Sequence, residues 1–241
     1  VYPSLFRLPP RFYKRMAWAE ADVECKEDGR TGRTQRDPQM FTISLTFYND
    51  HEHIERHLDE WCKYPEVPKQ VIDDGSKKPL ELHSIPVYRI EEDIPWNIPG
   101  ARNLGATVCT TPWILFCDTD QSFSYDSMAK LLDTRLERGE FYSFERKNRP
   151  RTCGTLLIHR EDYWAVGGYD DDFAGHYGYN DPYLRHLLWN HGVKEVTLPI
   201  LCDQYSADCV LDRQPNNEAL YNYKLQTGRS RSILRFPWRR V

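Results

Sequence analysis

Two aspartates separated by one residue, Asp118 and Asp120, follow the apolar run Trp113-Ile-Leu-Phe-Cys117. The run is apolar without alternation and follows Thr110-Thr-Pro112, so it reads as a short buried strand. Residues two apart in a strand share a face, so both carboxylates should project together from the strand's carboxyl end. Open α/β sheets bind their ligands at that end. Like charges so close repel unless a proton or a cation holds them. A hard divalent cation with oxygen ligands would do so, with substrate phosphates completing its shell. Taken alone, Asp-x-Asp reads equally well as a solvated turn capping a strand.

Other residues could join that chemistry. Asp74 ends a second strand, 68–74, where a carboxylate can accept a hydrogen bond from a ribose or a base N–H. Arg102 falls in the first turn of a helix predicted from Ala101 to Val108. A cation there opposes the helix dipole and calls for a partner, a phosphate or one of the aspartates. Asp181 precedes Pro182, an N-cap signature for a helix over 182–189. His51, His53 and His57 sit at helical spacing. Without an accompanying carboxylate or cysteine signature they predict a polar helix face rather than a zinc site.

The elements that must position these groups are legible. Strands are predicted over 41–48, 68–74, 86–90, 113–118, 141–144, 154–159 and 195–201. A helix capped by Asn49 or Asp50 carries Ile54, Leu58 and Trp61 on one face. A second, 124–138, carries Met128, Leu131, Leu132 and Leu136 as core. Further helices are predicted over 162–166 and 217–226. Strand and helix alternate as far as Asp118, which gives βαβ units and parallel pairing. The class is α/β, a mixed but mostly parallel central sheet flanked by helices.

The chain's 241 residues suit one large α/β domain. Residues 1–39 read as an extension of unclear role. Residues 40–228 form the main domain, with a nucleotide-binding βαβ array at about 40–122 and a mixed half at 123–228. Residues 229–241 read as a basic, solvated tail. A net charge of −4 argues against nucleic acid as a partner. Seven cysteines without a Cys-x-x-Cys predict reduced thiols. No apolar run approaches the ~20 residues of a membrane span, and no signal peptide is visible, which predicts a soluble, cytoplasmic-type chain. Val1 in place of Met admits a piece of a larger polypeptide.

In order along the chain stand Phe41–Asn49, Val71-Ile-Asp-Asp-Gly-Ser76, Ala101-Arg-Asn-Leu-Gly-Ala106, Ile114-Leu-Phe-Cys-Asp-Thr-Asp120, Val166-Gly-Gly-Tyr-Asp-Asp-Asp-Phe173 and Asn180-Asp181-x-x-Leu184. Each motif alone is common. In this order, over about 41 to 227, they resemble the GT-A-fold nucleotide-sugar glycosyltransferases, above all the large inverting family 2. The resemblance implies a Rossmann-like GT-A domain that moves a sugar from a nucleotide-diphosphate donor, a UDP-sugar by preference, to a hydroxyl of a glycan or glycoconjugate. Thr46 and Tyr48 would line the nucleotide pocket, and Asp74 would bind the base edge. Arg102 would contact the diphosphate or order the acidic motif. Asp118, Thr119 and Asp120 would form the Asp-x-Asp motif, holding Mn²⁺ or Mg²⁺. Gly167, Gly168, Tyr169 and Asn180 would shape the acceptor side, and Asp181 would be the catalytic base.

Two departures stand out. Asn180 replaces the acid that usually precedes the base, which bears on the acceptor. The late strand ends in Leu201-Cys-Asp203 where many relatives have a metal-binding His. Asp203 is then the candidate third oxygen ligand, with a strand-end turn as the plainer reading; His176 and His191 are weaker candidates. A phosphatase would place its Asp-x-Asp early and need a later Lys. A nucleotidyltransferase would want a Gly-rich basic loop after the first strand, where this chain has Thr46-Phe-Tyr-Asn-Asp50. A catalytically degenerate carbohydrate-binding module would have no use for all three acids.

Overall fold

The computed structural model describes residues 40–147, 151–152, 154–205, 215–229 and 233–241. The expected extension at 1–39 lies outside them. The first half alternates as predicted: β1 (Phe41–Phe47), α1 (His51–Trp61), β2 (Lys69–Asp74), β3 (Val87–Ile90), α2 (Ile98–Val108) and β4 (Trp113–Asp118). There follow β5 (Gln121–Ser122), α3 (Tyr125–Asp133), β6 (Glu140–Glu145), β7 (Leu156–His159) and α4 (Arg160–Ala165). The chain continues through α5 (Asn180–Asn190), β8 (Lys194–Leu201), β9 (Asp203–Gln204), α6 (Pro215–Thr227) and β10 (Trp238–Arg240).

Eight strands form one mixed sheet in the order β10-β3-β2-β1-β4-β7-β6-β8. The pairs β1–β2, β2–β3, β1–β4 and β6–β8 are parallel, so the sheet is mostly parallel, with antiparallel pairs where β7 and β10 join. Both faces of β4 are covered. Trp113, Leu115 and Cys117 enter one core cluster, while Ile114 and Phe116 enter another with Tyr163 and Tyr169. Double coverage is why the run shows no polar alternation. Parity then places Asp118 on the face of Ile114 and Phe116.

Local chemistry moved several boundaries. Helix α2 starts at Ile98, three residues before the expected Ala101, with Asn97 as its N-cap. Arg102 is therefore a turn inside the helix, and the dipole penalty expected of a first-turn cation does not apply. Helix α3 ends at Asp133 rather than 138. Thr134 turns to an extended backbone, and its hydroxyl donates to the Lys130 carbonyl. Leu136 is buried from that extended segment, whereas Leu132, expected in the core, is exposed. Helix α5 is entered from Tyr179 at φ 67°, so Asp181 lies inside the first turn and is not the N-cap. The basic end of the chain is not wholly a solvated tail. Phe236 is buried, and β10 pairs antiparallel with β3 along the sheet edge.

Candidate active site

A cleft of about 580 Å³ opens at the carboxyl end of β4, and Arg102, Asp118, Asp120, Asn180 and Asp181 all line it. Its centre is the Arg102 guanidinium, which is almost wholly buried. Nη2 donates to Asp118 Oδ1 at 2.6 Å, and Nη1 donates to Asp181 Oδ1 at 2.7 Å and to the Tyr169 hydroxyl at 2.7 Å. The Tyr169 hydroxyl also lies 2.8 Å from Asp181 Oδ1 and donates to it. Helix α2 thus supplies one cation that ties β4 to the start of α5. Burial works against that charge, but Tyr169, Asp118 and Asp181 together outweigh it and hold the guanidinium well above its ordinary pKa. Burial, helped by Asp120 and Asp181, pushes the Asp118 carboxyl up, with Arg102 pulling against them.

Gly154 faces this pair. A Cβ there would lie 2.5 Å from Arg102 Nη2 and 2.6 Å from Asp118 Oδ2. The missing side chain keeps open the space beside the second Asp118 oxygen. Asp120 lies beyond the end of β4, in the turn to β5, so strand alternation is not what brings it to the cleft. Its Oδ2 accepts from Gln204 Nε2 at 3.4 Å. The short β5–β9 ribbon, two residues a side, makes that contact and is too brief to announce itself in sequence. Two carboxylates, oxygen donors only, at the mouth of a cleft suit a hard divalent cation that leaves positions for phosphate oxygens.

The histidines of α1 do not form a polar face. His57 is buried, and its Nε2–H donates to the Thr119 carbonyl at 2.9 Å. The Thr119 hydroxyl donates to Asp50 Oδ2 at 2.7 Å, and His53 Nδ1 sits 2.8 Å from the same oxygen. The middle residue of the acidic motif is therefore held from the N-terminus of α1. Burial pushes His57 down to about 4 from 6.5. The folded state keeps this imidazole neutral, whereas the unfolded chain protonates it below 6.5. The stability is fully present above pH 6.5 and is lost as pH falls through about 4, a span worth roughly 3 kcal/mol. In metal-free buffer, His57→Gln should flatten the fall in unfolding free energy between pH 6.5 and 4. An unchanged slope would refute the assignment.

The residues expected around the nucleotide are not gathered in the cleft. Thr46 is buried on β1, in register with Asp118 of β4. Tyr48 is exposed, and its hydroxyl donates to Asp93 at 3.0 Å. Asp74 is buried and accepts from Asn97 Nδ2 at 2.9 Å; burial pushes its carboxyl up to about 7. Asp93 and Asn97 both belong to the segment joining β3 to α2, which covers this end of the sheet.

On the acceptor side only Asn180 reaches the cleft. Gly167 and Gly168, both at positive φ, form the turn after α4. A Cβ on Gly168 would meet Asn103 and Tyr163, so the turn packs inward rather than toward a substrate. Tyr169 is fully buried and reaches the site through its hydroxyl alone. Asp203, the candidate third ligand, is not among the residues lining the cleft. It pairs with Ser122 and feels Glu60, on the other side of β9 from Gln204, which is the residue that faces Asp120. His176 lines the cleft, and Asn216 Nδ2 lies 3.1 Å from its Nε2; His191 caps α5 at its far end. Among the described residues no three His, Cys, Asp or Glu side chains cluster as a metal site. Sequence reasoning passed over Gly154, Gln204 and a set of arginines, Arg146, Arg151 and Arg185, that line the cleft. No local sequence pattern signals any of them; the ribbon that places Gln204 is only two residues a side.

No protein-family model matches the sequence, and no curated protein matches it. Solved structures do. The mannosyltransferase PcManGT from Pyrobaculum calidifontis, in complex with GDP-Man and Mn²⁺, superposes with a TM-score of 0.58 at 16% identity, over 73% of this chain and 59% of that one. GalNAc-T7 with UDP, GalNAc and Mn²⁺ gives 0.58 at 14% identity, over 70% of this chain and 44% of that one. S. aureus TarS 1-349 in complex with UDP-GlcNAc gives 0.58 at 13% identity, over 80% and 68%. The chain thus spans little more than half the length of the mannosyltransferase. The fold is GT-A, that of nucleotide-sugar glycosyltransferases. No helix among the described residues is long and apolar enough to cross a membrane.

Proposed function

We propose that this GT-A chain is a metal-dependent glycosyltransferase. It moves a sugar from a nucleotide-diphosphate donor, a UDP-sugar by preference, to a hydroxyl of a glycan acceptor, with inversion. The observation that carries the reading is the meeting of Asp118, Asp120 and Asp181 in one cleft, with Arg102 bound to the first and the last. Asp118 and Asp120 would hold Mn²⁺ or Mg²⁺, which when bound supplies Lewis-acid stabilisation of the departing diphosphate. Asp181 takes the acceptor proton. Both of its hydrogen bonds fall on Oδ1, from Arg102 and Tyr169, so Oδ2 is the atom offered to the incoming hydroxyl. One base on α5, with the leaving group on β4, suits single displacement through an oxocarbenium-like transition state.

The donor's nucleotide would lie over Thr46, Tyr48 and Asp74, and the base edge would replace Asn97 at the Asp74 carboxylate. The acceptor would enter by Asn180, with Gly167, Gly168 and Tyr169 shaping that wall from behind. Aromatic rings at the cleft support a saccharide acceptor. Trp96 packs on Tyr177 at 5.1 Å and Tyr179 on Tyr221 at 5.4 Å, while Trp189 is half exposed. Flat apolar faces beside polar groups match a pyranose ring.

The test is release of nucleotide diphosphate from a panel of UDP- and GDP-sugars with Mn²⁺ or Mg²⁺. EDTA should abolish it. Asp120→Ala should lower it by about 100-fold or more, since Lewis-acid stabilisation is worth several kcal/mol. Inorganic phosphate released from phosphomonoesters, or donor binding without turnover when acceptors are supplied, would overturn the reading.

A further inference from the structure

Resting on that reading, we propose that Trp96 is the platform on which one pyranose ring of the acceptor stacks, and that it selects the acceptor. Its backbone is the first sign. Trp96 stands at φ 50° in the turn between β3 and α2. The left-handed region is strained for a bulky residue, and such strain persists only where the surroundings impose it. They do so from both sides. The Pro95 carbonyl accepts from the Gly175 N–H at 2.7 Å. Asn97 begins α2, yet its side chain donates to Asp74 at 2.9 Å instead of capping the helix. With both neighbours committed, Trp96 takes up the turn. The indole gains little burial from it, since Trp96 is 42% exposed and lines the cleft that holds Asp118, Asp120 and Asp181. Strain that displays a large apolar ring beside such groups points to a ligand.

The contacts of Trp96 place it on the acceptor side. Its ring packs on Tyr177 at 5.1 Å, tilted by 59°. Tyr177 shortly precedes Asp181 in the chain, and both line the cleft with Trp96, whereas Thr46, Tyr48 and Asp74 do not. The segment from Phe173 to Tyr179 is itself fixed. Gly175, Gly178 and Tyr179 have φ of 98°, 99° and 67°. Asn217, buried on α6, gathers three of the segment's carbonyls. Its Nδ2 donates to Phe173 at 3.1 Å, to His176 at 2.8 Å and to Gly178 at 2.9 Å. One buried amide thus shapes the loop that carries Tyr177 and leads into α5. The indole meets a ligand as a preset surface, without the entropy of ordering a loop on binding. A pyranose offers the apolar C–H face of its ring to such a surface, and its hydroxyls remain free for the polar groups of the cleft.

The experiment measures two ligands on the native chain, on Trp96→Gly and on Trp96→Phe, with Mn²⁺ present. UDP is titrated by calorimetry. Lactose, cellobiose, maltose, chitobiose and mannobiose are then screened on the UDP complex by saturation-transfer NMR. The native chain should bind at least one disaccharide, with saturation strongest on the C–H groups of one ring face. Trp96→Gly should weaken that binding by about 10-fold and leave UDP within about twofold, while Trp96→Phe keeps most of it. Glycine also relieves the left-handed backbone, so the melting temperature of Trp96→Gly should equal or exceed that of the native chain. A merely structural tryptophan would lower the melting temperature and leave disaccharide binding alone, and that result overturns the proposal. So does an equal loss of UDP and disaccharide, which would move Trp96 to the donor. So does a native chain that binds UDP and none of the disaccharides. If the native chain fails to bind UDP with Mn²⁺, the glycosyltransferase reading itself falls, and the role of Trp96 with it.

Discussion

Asp181→Asn should leave nucleotide-sugar affinity within about twofold of the native chain and lower sugar transfer by 10²- to 10⁴-fold, the usual contribution of a positioned base. The substitution is close to isosteric. An amide oxygen at the Oδ1 position still accepts from Arg102 and from the Tyr169 hydroxyl, whose distances of 2.7 and 2.8 Å set the side chain's place. What disappears is the proton acceptor on the other branch. Asp181 sits on α5, apart from the strand that carries Asp118, so donor binding need not pass through it. Titration with UDP in Mn²⁺ and single-turnover transfer separate the two quantities. A loss of donor affinity equal to the loss of rate would assign Asp181 to donor binding. A rate loss below tenfold would remove it as base.

How far this site could be read from sequence depended on the range of the interactions involved. The β4 run and its terminal Asp118 were legible because burial on both faces leaves an unbroken apolar signature. Parallel pairing through β1 followed from alternation of strand and helix. Arg102 was marked as needing a partner, but for a reason the structure replaces. Its helix begins earlier, and the demand arises from burial rather than from the dipole. The His57 contact with Thr119 spans 62 residues and cannot be inferred from spacing within α1. Nothing in the local pattern separates a histidine that faces solvent from one tucked beneath an acidic turn. Asp203 and Gln204 show the finer limit. In a two-residue strand a shift of one residue exchanges inside for outside, and no periodicity exists to fix it. Gly154 is silent for a related reason, since its meaning lies in the space that Arg102 and Asp118 require.

Arg102→Met should cost about 3–5 kcal/mol of folding stability, besides its effect on turnover, because it removes one partner from a buried ionic cluster. Asp118 and Asp181 would then face each other with only the Tyr169 hydroxyl between them and the low-dielectric core behind. The methionine can fill much of the volume, so the loss measures charge and hydrogen bonding more than packing. Denaturant midpoints at neutral pH without metal provide the number. The double variant Arg102→Met with Asp118→Asn makes the test specific. Deleting one of the stranded charges should return part of the loss, so the two substitutions should be clearly non-additive. Arg102→Lys should fall between, since an ammonium keeps the charge but lacks the planar fork that reaches Asp118 through one nitrogen and Asp181 through the other. Additive costs, or a stable Arg102→Met, would show that the carboxylates are solvated well enough to stand alone. Their closeness would then be incidental to the cation between them. Strong coupling instead means that the contacts closing α2 onto β4 and α5 are also those that fix the distance between Asp118 and Asp181.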